Sequence, residues 1–311
     1  MSIIGLVIKS TGSWYKVRYN NGKTILCKVK GKLRLKEAQT TNPITVGDIV
    51  DISIVDDKTG VIEKIYERKN YIIRRSVNLS RKAHIIAANI DQALLLVTII
   101  LPETTTTFID RFLVAAEAYR IPTKIIFNKI DIYDEELMQE VHRLKDIYTK
   151  IGYECYEVSA TKGTNLEQLK TLMHNKSSLI SGNSGVGKST LINAIDPTLE
   201  LRIGEISSYH HKGKHTTTFS EMFELEFGGY IIDTPGIKSF GMVDMEKKEL
   251  AHYFPEMFAY LDKCQYYNCI HIYEPNCAVK VALEEGKIAP SRYISYLSLL
   301  DEDENKYRAA Q

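Results

Sequence analysis

The sequence predicts a multidomain α/β protein with three parts. These are a small N-terminal β-barrel, a central parallel sheet layered with helices, and a helical C-terminal region built around a metal knuckle. Three observations predict it. About five short strand-like runs, separated by turn residues, fill the first seventy positions. From residue 90 onward strands alternate with helices, the pattern of βαβ units on a parallel sheet. Three of the five cysteines then fall within fourteen residues, with a histidine among them.

Composition bounds the classes available. The 311 residues suffice for two or three domains, and 44% hydrophobic with 25% charged residues is a globular balance. The longest apolar run, 93–101, is interrupted by Thr98. It has the length of a buried strand and falls far short of the about 20 residues that cross a bilayer. The N-terminal apolar stretch is too short for a signal sequence and has no basic residues before it, so a cytoplasmic protein is expected. An odd number of cysteines argues against a disulfide framework. Net charge is +1, yet residues 1–36 hold nine Lys or Arg and no acid. The acidic run 301–304 reads as a solvated tail.

The barrel, residues 1–70, is expected to use strands 5–9, 14–19, 24–28, 49–55 and 60–66, with turns at Asn20-Asn21-Gly22 and Val46-Gly47-Asp48. An OB-fold is the natural candidate. Lys28, Lys30, Lys32, Arg34 and Lys36 alternate with Val29, Leu33 and Leu35, so an extended chain puts the five cations on one face. With Trp14, Tyr15 and Tyr19 nearby, that face suits RNA phosphates and stacked bases. A merely solvated lysine-rich face is the alternative.

The central part, residues 71–243, is expected to run strand 93–101, helix 108–119, strand 124–127, helix 135–150, strand 154–158, helix 166–173 and strand 178–181. The last strand feeds Gly182-Asn183-Ser184-Gly185-Val186-Gly187-Lys188-Ser189, which fits G-x-x-x-x-G-K-[ST] and opens helix 189–195 with Thr190 next in line. Glycines let successive N–H groups converge on phosphate oxygens, and the helix N-terminus adds partial positive charge. Lys188 would reach the β- and γ-phosphates, and the Ser189 hydroxyl would ligate Mg²⁺.

Asn128-Lys129-Ile130-Asp131 follows strand 124–127 and fits the guanine-reading N-K-x-D. The Asp131 carboxylate would accept from the guanine ring N–H and exocyclic amine; adenine offers no such donor pair. Ser159-Ala160 stands at the end of strand 154–158 and fits the companion S-A-K/T motif. Asp233-Thr234-Pro235-Gly236 follows strand 230–232 and fits D-x-x-G. Asp233 would hold Mg²⁺ through water, and the Gly236 N–H would sense the γ-phosphate. The polar segment 210–218, between phosphate loop and D-x-x-G, reads as switch I, with one threonine on Mg²⁺. In ordinary GTPases the phosphate loop comes first; here the base-reading motifs precede it, a circular permutation.

The C-terminal part, residues 244–311, carries Cys264, Cys269, His271 and Cys277. Three thiolates and an imidazole form a recognised structural zinc set with no open position. Cys27 and Cys155 fall in expected strands and read as core residues.

Taken together, GNSGVGKST, GKHTTTF, DTPGIKSFGM and the Cys/His cluster resemble the ribosome small-subunit-dependent GTPase family, RsgA, over essentially the whole chain. The resemblance implies an N-terminal OB-fold, a circularly permuted P-loop GTPase domain and a C-terminal zinc-binding domain with one Zn²⁺. It implies a GTPase, using Mg²⁺, that binds the small (30S) subunit and its 16S rRNA late in maturation, is stimulated by it, and turns GTP into GDP. It also implies that Thr217 ligates Mg²⁺ and that His215 positions the attacking water. Ile237 stands where Ras-like enzymes carry a catalytic Gln, and an aliphatic side chain cannot orient water. A nucleotide-controlled RNA-binding module and a permuted GTPase serving the large subunit are the competing readings. A monomer is the default expectation.

Overall fold

A computed structural model describes residues 3–31, 44–75, 83–199, 220–233 and 246–301. Strands β1 (Ile3–Ser10), β2 (Tyr15–Tyr19), β3 (Lys23–Val29), β4 (Ile49–Ile54) and β5 (Thr59–Ile65) form the first unit. They pair in the order β1-β2-β3-β5-β4, and β4 returns to β1, closing a barrel. The β3–β5 pair is parallel and the others antiparallel. This is the five-stranded OB-like closure that the strand count suggested. Alternation decides which side chains fill it: Val7, Tyr15, Val17, Ile25, Cys27, Val50, Ile52 and Ile62 point inward.

A hairpin of β6 (Tyr71–Arg75) and β7 (Ala83–Ala88) follows, which the sequence reading did not anticipate. The central sheet contains β8 (Gln92–Val97), β9 (Thr123–Phe127), β10 (Glu154–Glu157), β11 (Ser177–Ser181), β12 (Glu221–Glu224) and β13 (Tyr230–Asp233). Its order is β10-β9-β8-β11-β13-β12, parallel except for β12. All six residues of β8 are buried, as a strand covered on both faces should be. That strand was expected to reach residue 101. It ends at Val97 because the Thr98 backbone turns: the Thr104 N–H donates to Thr98 O at 2.9 Å, and the Thr98 hydroxyl to Pro102 O.

Helices α1 (Thr106–Ala118), α2 (Glu135–Lys150), α3 (Leu166–Met173) and α4 (Lys188–Ile195) connect these strands. Thr105 caps α1 and Asp134 caps α2, each accepting from the N–H three residues on. One apolar cluster packs α1 and α2 against one face of the sheet; another packs α3 and α4 against the opposite face.

The barrel joins the sheet edge to edge. Lys9 of β1 pairs with Glu221 of β12, and their side chains form an ion pair at 2.7 Å. Arg18 of β2 bonds both Glu224 and Tyr230. The C-terminal unit has short helix α5 (Pro255–Phe258), then α6 (Ala278–Glu284) and α7 (Pro290–Asp301), around its own apolar cluster. It is tied to the central domain through Arg292 of α7, which is 1% exposed. The guanidinium donates to Asp110 of α1 at 2.7 Å and, in a fork, to both oxygens of Glu256 at 2.6 and 3.1 Å. Burial opposes the charge, but Asp110 and Glu256 outweigh it and keep the guanidinium protonated.

Candidate guanine-nucleotide site and metal centre

Parallel strands deliver the motifs to one edge of the sheet. β11 lies beside β8, which lies beside β9, which lies beside β10. The loops at their C-terminal ends therefore meet. The loop after β11 starts at Gly182, whose φ is +146°; an added Cβ would stand 2.4 Å from Leu96 O. It ends at Gly187 with φ +98°, where a Cβ would meet Asn128 Nδ2 at 2.5 Å. Both positions need glycine, for conformation and for space. Helix α4 begins at Lys188, so its N-terminus faces the loop. Lys188 folds back across the loop, its Nζ donating to Gly182 O and Asn183 O, each at 2.8 Å. Ser189, next on α4, is buried beside it and offers the hard oxygen donor that Mg²⁺ prefers.

The loop after β9 locks onto this cradle. Asn128 Nδ2 donates to Val186 O at 2.8 Å, and Asn128 Oδ1 accepts from the Ala160 N–H at 3.3 Å. Lys129 takes the left-handed conformation, φ +66°, and its Nζ donates to Gly185 O at 2.8 Å. Ile130 N–H bonds Val158 O at 3.3 Å. Asp131 is exposed, and its carboxylate accepts from the hydroxyls of Ser159 at 2.5 Å and Thr161 at 3.1 Å. The Ser159 hydroxyl leads the causes that hold the Asp131 carboxyl below its ordinary range, so it stays ionised and able to accept. Motifs separated by more than fifty residues (Asn128 and Val186) thus share one pocket edge.

Two contributors were missed in the sequence. Thr161 occupies the third place of the S-A-K/T motif, and that place was its signal. Tyr133, whose hydroxyl donates to Asn128 O at 2.8 Å, has no motif to announce it. Of the expected catalytic group, Lys188 is described. His215, Thr217 and Gly236 lie outside the described residues, as do Thr234, Pro235, Ile237 and the side chain of Asp233.

Cys264, Cys269, His271 and Cys277 do converge: their ligand atoms lie within 4.8 Å of one another. His271 Nδ1 stands 3.7 Å from Cys264 Sγ and 3.3 Å from Cys277 Sγ. A tetrahedral zinc with bonds of about 2.0–2.3 Å separates its donors by about 3.5–3.8 Å. The cluster could hold a metal with little adjustment. His271 has φ +60°, and its carbonyl accepts from the Tyr293 hydroxyl at 2.7 Å. Tyr296 does the same for Ile270 O at 2.9 Å. The Glu274 carboxylate gathers the N–H groups of Ile270, Ile272 and Tyr273. Burial leads the causes that push the Cys269 thiol to about 12, a cost that a coordinated cation removes.

On the barrel, Lys28 Nζ sits 4.4 Å over the Trp14 ring, and Lys30 lies 3.7 Å from Glu63. Lys32, Arg34 and Lys36 lie outside the described residues, as does the acidic tail beyond Asp301. Tyr15 corrects one expectation. The β2 alternation turns it into the barrel core, 1% exposed, where it cannot stack on a base.

Comparison with known proteins agrees with this geometry. Residues 65–243 match the RsgA GTPase family, and residues 4–62 match the RsgA N-terminal domain. The chain belongs to the RsgA GTPase family. It is a GTP-hydrolysing enzyme, and the family implies Mg²⁺ use. Relatives called small ribosomal subunit biogenesis GTPase RsgA include one from Phocaeicola vulgatus, 58% identical, and one from Bacteroides fragilis, 56% identical. Each match covers 98% of this chain and 99% of the relative. Among solved structures, YjeQ from Thermotoga maritima superposes with a TM-score of 0.79 at 36% identity over 100% of both chains. YloQ, described as a circularly permuted GTPase, gives 0.77 at 31% identity, over 98% of this chain and 96% of that one. The RsgA permutation is visible in the topology: β9 and β10 precede β11 in the chain, yet stand on the far side of β8 from β13.

Proposed function

We propose that the chain binds the small ribosomal subunit late in its maturation in the GTP state, hydrolyses GTP there, and leaves as the GDP form. One observation carries the reading: the phosphate-loop, N-K-x-D and Ser-Ala motifs, out of order in the chain, lock together around Asn128. The names of the curated relatives supply the subunit.

In this reading Asp131 accepts two hydrogen bonds from guanine, and the Ala160 N–H faces its carbonyl oxygen. The N–H groups of 182–190 and the Lys188 ammonium hold the phosphates. Mg²⁺, held by Ser189 and Thr217 and through water by Asp233, would neutralise charge on the β- and γ-phosphates. His215 orients the water that attacks the γ-phosphorus in line, since Ile237 cannot. The Gly236 N–H reports whether the γ-phosphate is present. The Cys3His cluster holds one structural Zn²⁺, whose binding supplies much of the folding energy of the knuckle. Lys28, Lys30 and the cations after them contact 16S rRNA phosphates. The protein works as a monomer in the cytoplasm. No described helix is long and apolar enough to cross a membrane, which is compatible with that site of action.

The test is GTP turnover with purified small subunits, large subunits, or neither. Small subunits should raise turnover at least tenfold, an ordinary size for a supplied organising group. Large subunits should not. Stimulation by large subunits alone, or by neither, would overturn the proposal. His215→Ala should lose most of the stimulated rate while keeping GDP affinity.

A further inference from the structure

The guanine-reading loop is held from a side that none of the nucleotide motifs supplies. Between β8 and α1 the chain makes a tight turn, residues 98–104. It is closed by Thr98 N–H donating to Thr104 Oγ1 at 3.1 Å and Thr104 N–H to Thr98 O at 2.9 Å. Two bridges run from this turn to the N-K-x-D loop. The Tyr133 hydroxyl accepts from the Ile99 N–H at 3.0 Å and donates to Asn128 O at 2.8 Å. The Lys129 ammonium donates to Leu101 O as well as to Gly185 O. A Cβ on Gly185 would touch Pro102 Cδ at 3.4 Å, so the turn also abuts the phosphate loop.

We propose that Tyr133 and the 98–104 turn are positioning elements for guanine recognition, bracing Asn128-Lys129-Ile130-Asp131 in the conformation that presents the Asp131 carboxylate. The physical need is plain. Lys129 sits at φ +66°, a conformation that a non-glycine residue keeps only when its surroundings enforce it. Ser159 and Thr161 hold the Asp131 side chain from one flank. On the other flank the Asn128 N–H donates to Val97 O at 2.9 Å, and the Tyr133 hydroxyl ties the Asn128 carbonyl to the Ile99 N–H of the turn. Removing it leaves two backbone groups unpartnered and frees the loop to relax. The inference rests on the reading that Asp131 meets guanine.

The experiment measures binding of GDP and of inosine diphosphate, which lacks the exocyclic amine, to the full chain. Tyr133→Phe should weaken GDP by about tenfold and inosine diphosphate by less, so that the preference for GDP shrinks while the chain stays folded. Thr104→Val, which removes the side-chain half of the turn's closure, should act in the same direction, and Thr104→Ser should restore the preference. Thr104→Val carries the test if Tyr133→Phe does not fold. GDP affinity within twofold of wild type in both variants, or equal weakening of the two nucleotides, would overturn the proposal. Asp131→Asn separates the two levels of the argument. It should exchange GDP for xanthosine diphosphate, whose carbonyl can accept from the new amide. If it does not, the nucleotide-site reading fails and the brace with it. If it does while Tyr133→Phe behaves as wild type, only the brace fails.

Discussion

At the scale of single residues, the site works through groups whose charge state is set by neighbours rather than by burial alone. Asp131 lies at the surface, yet the Ser159 and Thr161 hydroxyls lower its pKa. A carboxyl whose folded value is depressed keeps its favourable ionised contacts as pH falls, until pH passes that depressed value. Guanine binding through Asp131 should therefore persist into mildly acid solution. Ser159→Ala removes the leading cause, so the acid limb of GDP affinity should move to higher pH. A series of GDP dissociation constants from about pH 6 downward reads this shift. Identical limbs in wild type and variant would mean that the Ser159 hydroxyl does not act on Asp131 in solution.

At the scale of elements, the Cys/His knuckle and the sheet illustrate different sources of order. The sheet strands are fixed by burial, as the fully buried β8 shows. The knuckle from 264 to 277 has little apolar core of its own, with Tyr267 and Tyr273 almost wholly exposed. Its shape comes from Glu274, the tyrosines of α7 and the four converging donors. Metal-replete protein should carry about one zinc per chain. Stripping it with a chelator, or making Cys269→Ser, should lower the stability of the C-terminal unit far more than that of the barrel. Elemental analysis and hydrogen exchange resolved by region would show it. Zinc content near zero in replete protein would remove the knuckle from the account.

At the scale of the whole molecule, the polar contacts between the barrel, the sheet and the C-terminal helices differ in depth. The barrel meets β12 through Lys9–Glu221 and Arg18–Glu224, pairs that are partly exposed and so contribute little to stability. The C-terminal unit meets α1 through Arg292, where Asp110 and Glu256 would be left buried and unpaired if the guanidinium were lost. Arg292→Met should therefore destabilise the protein by about 3–5 kcal/mol in urea unfolding. An effect below about 1 kcal/mol, the size of an exposed pair, would show that water reaches the cluster.

Much of this is legible in the sequence. Phosphate loop, N-K-x-D, Ser-Ala and the Cys/His set each carry their own local requirement: a glycine where φ is positive, a strand end, or a ligand type. Helices α2 and α3 are legible for another reason, the helical spacing of Val141, Leu144 and Tyr148 and of Leu166, Leu169 and Met173. What the chain could not announce were pairings that depend on sheet order and register. Tyr15 turns inward because of its place in the β2 alternation, and Tyr133 finds Ile99 because β9 lies beside β8. Arg292 meets Asp110 across 182 positions. The chemistry open to the loops is written in residue type and close spacing, and can be read along the chain. Which distant groups hold those loops still depends on contacts between remote segments, and these are settled by the packing of the whole sheet.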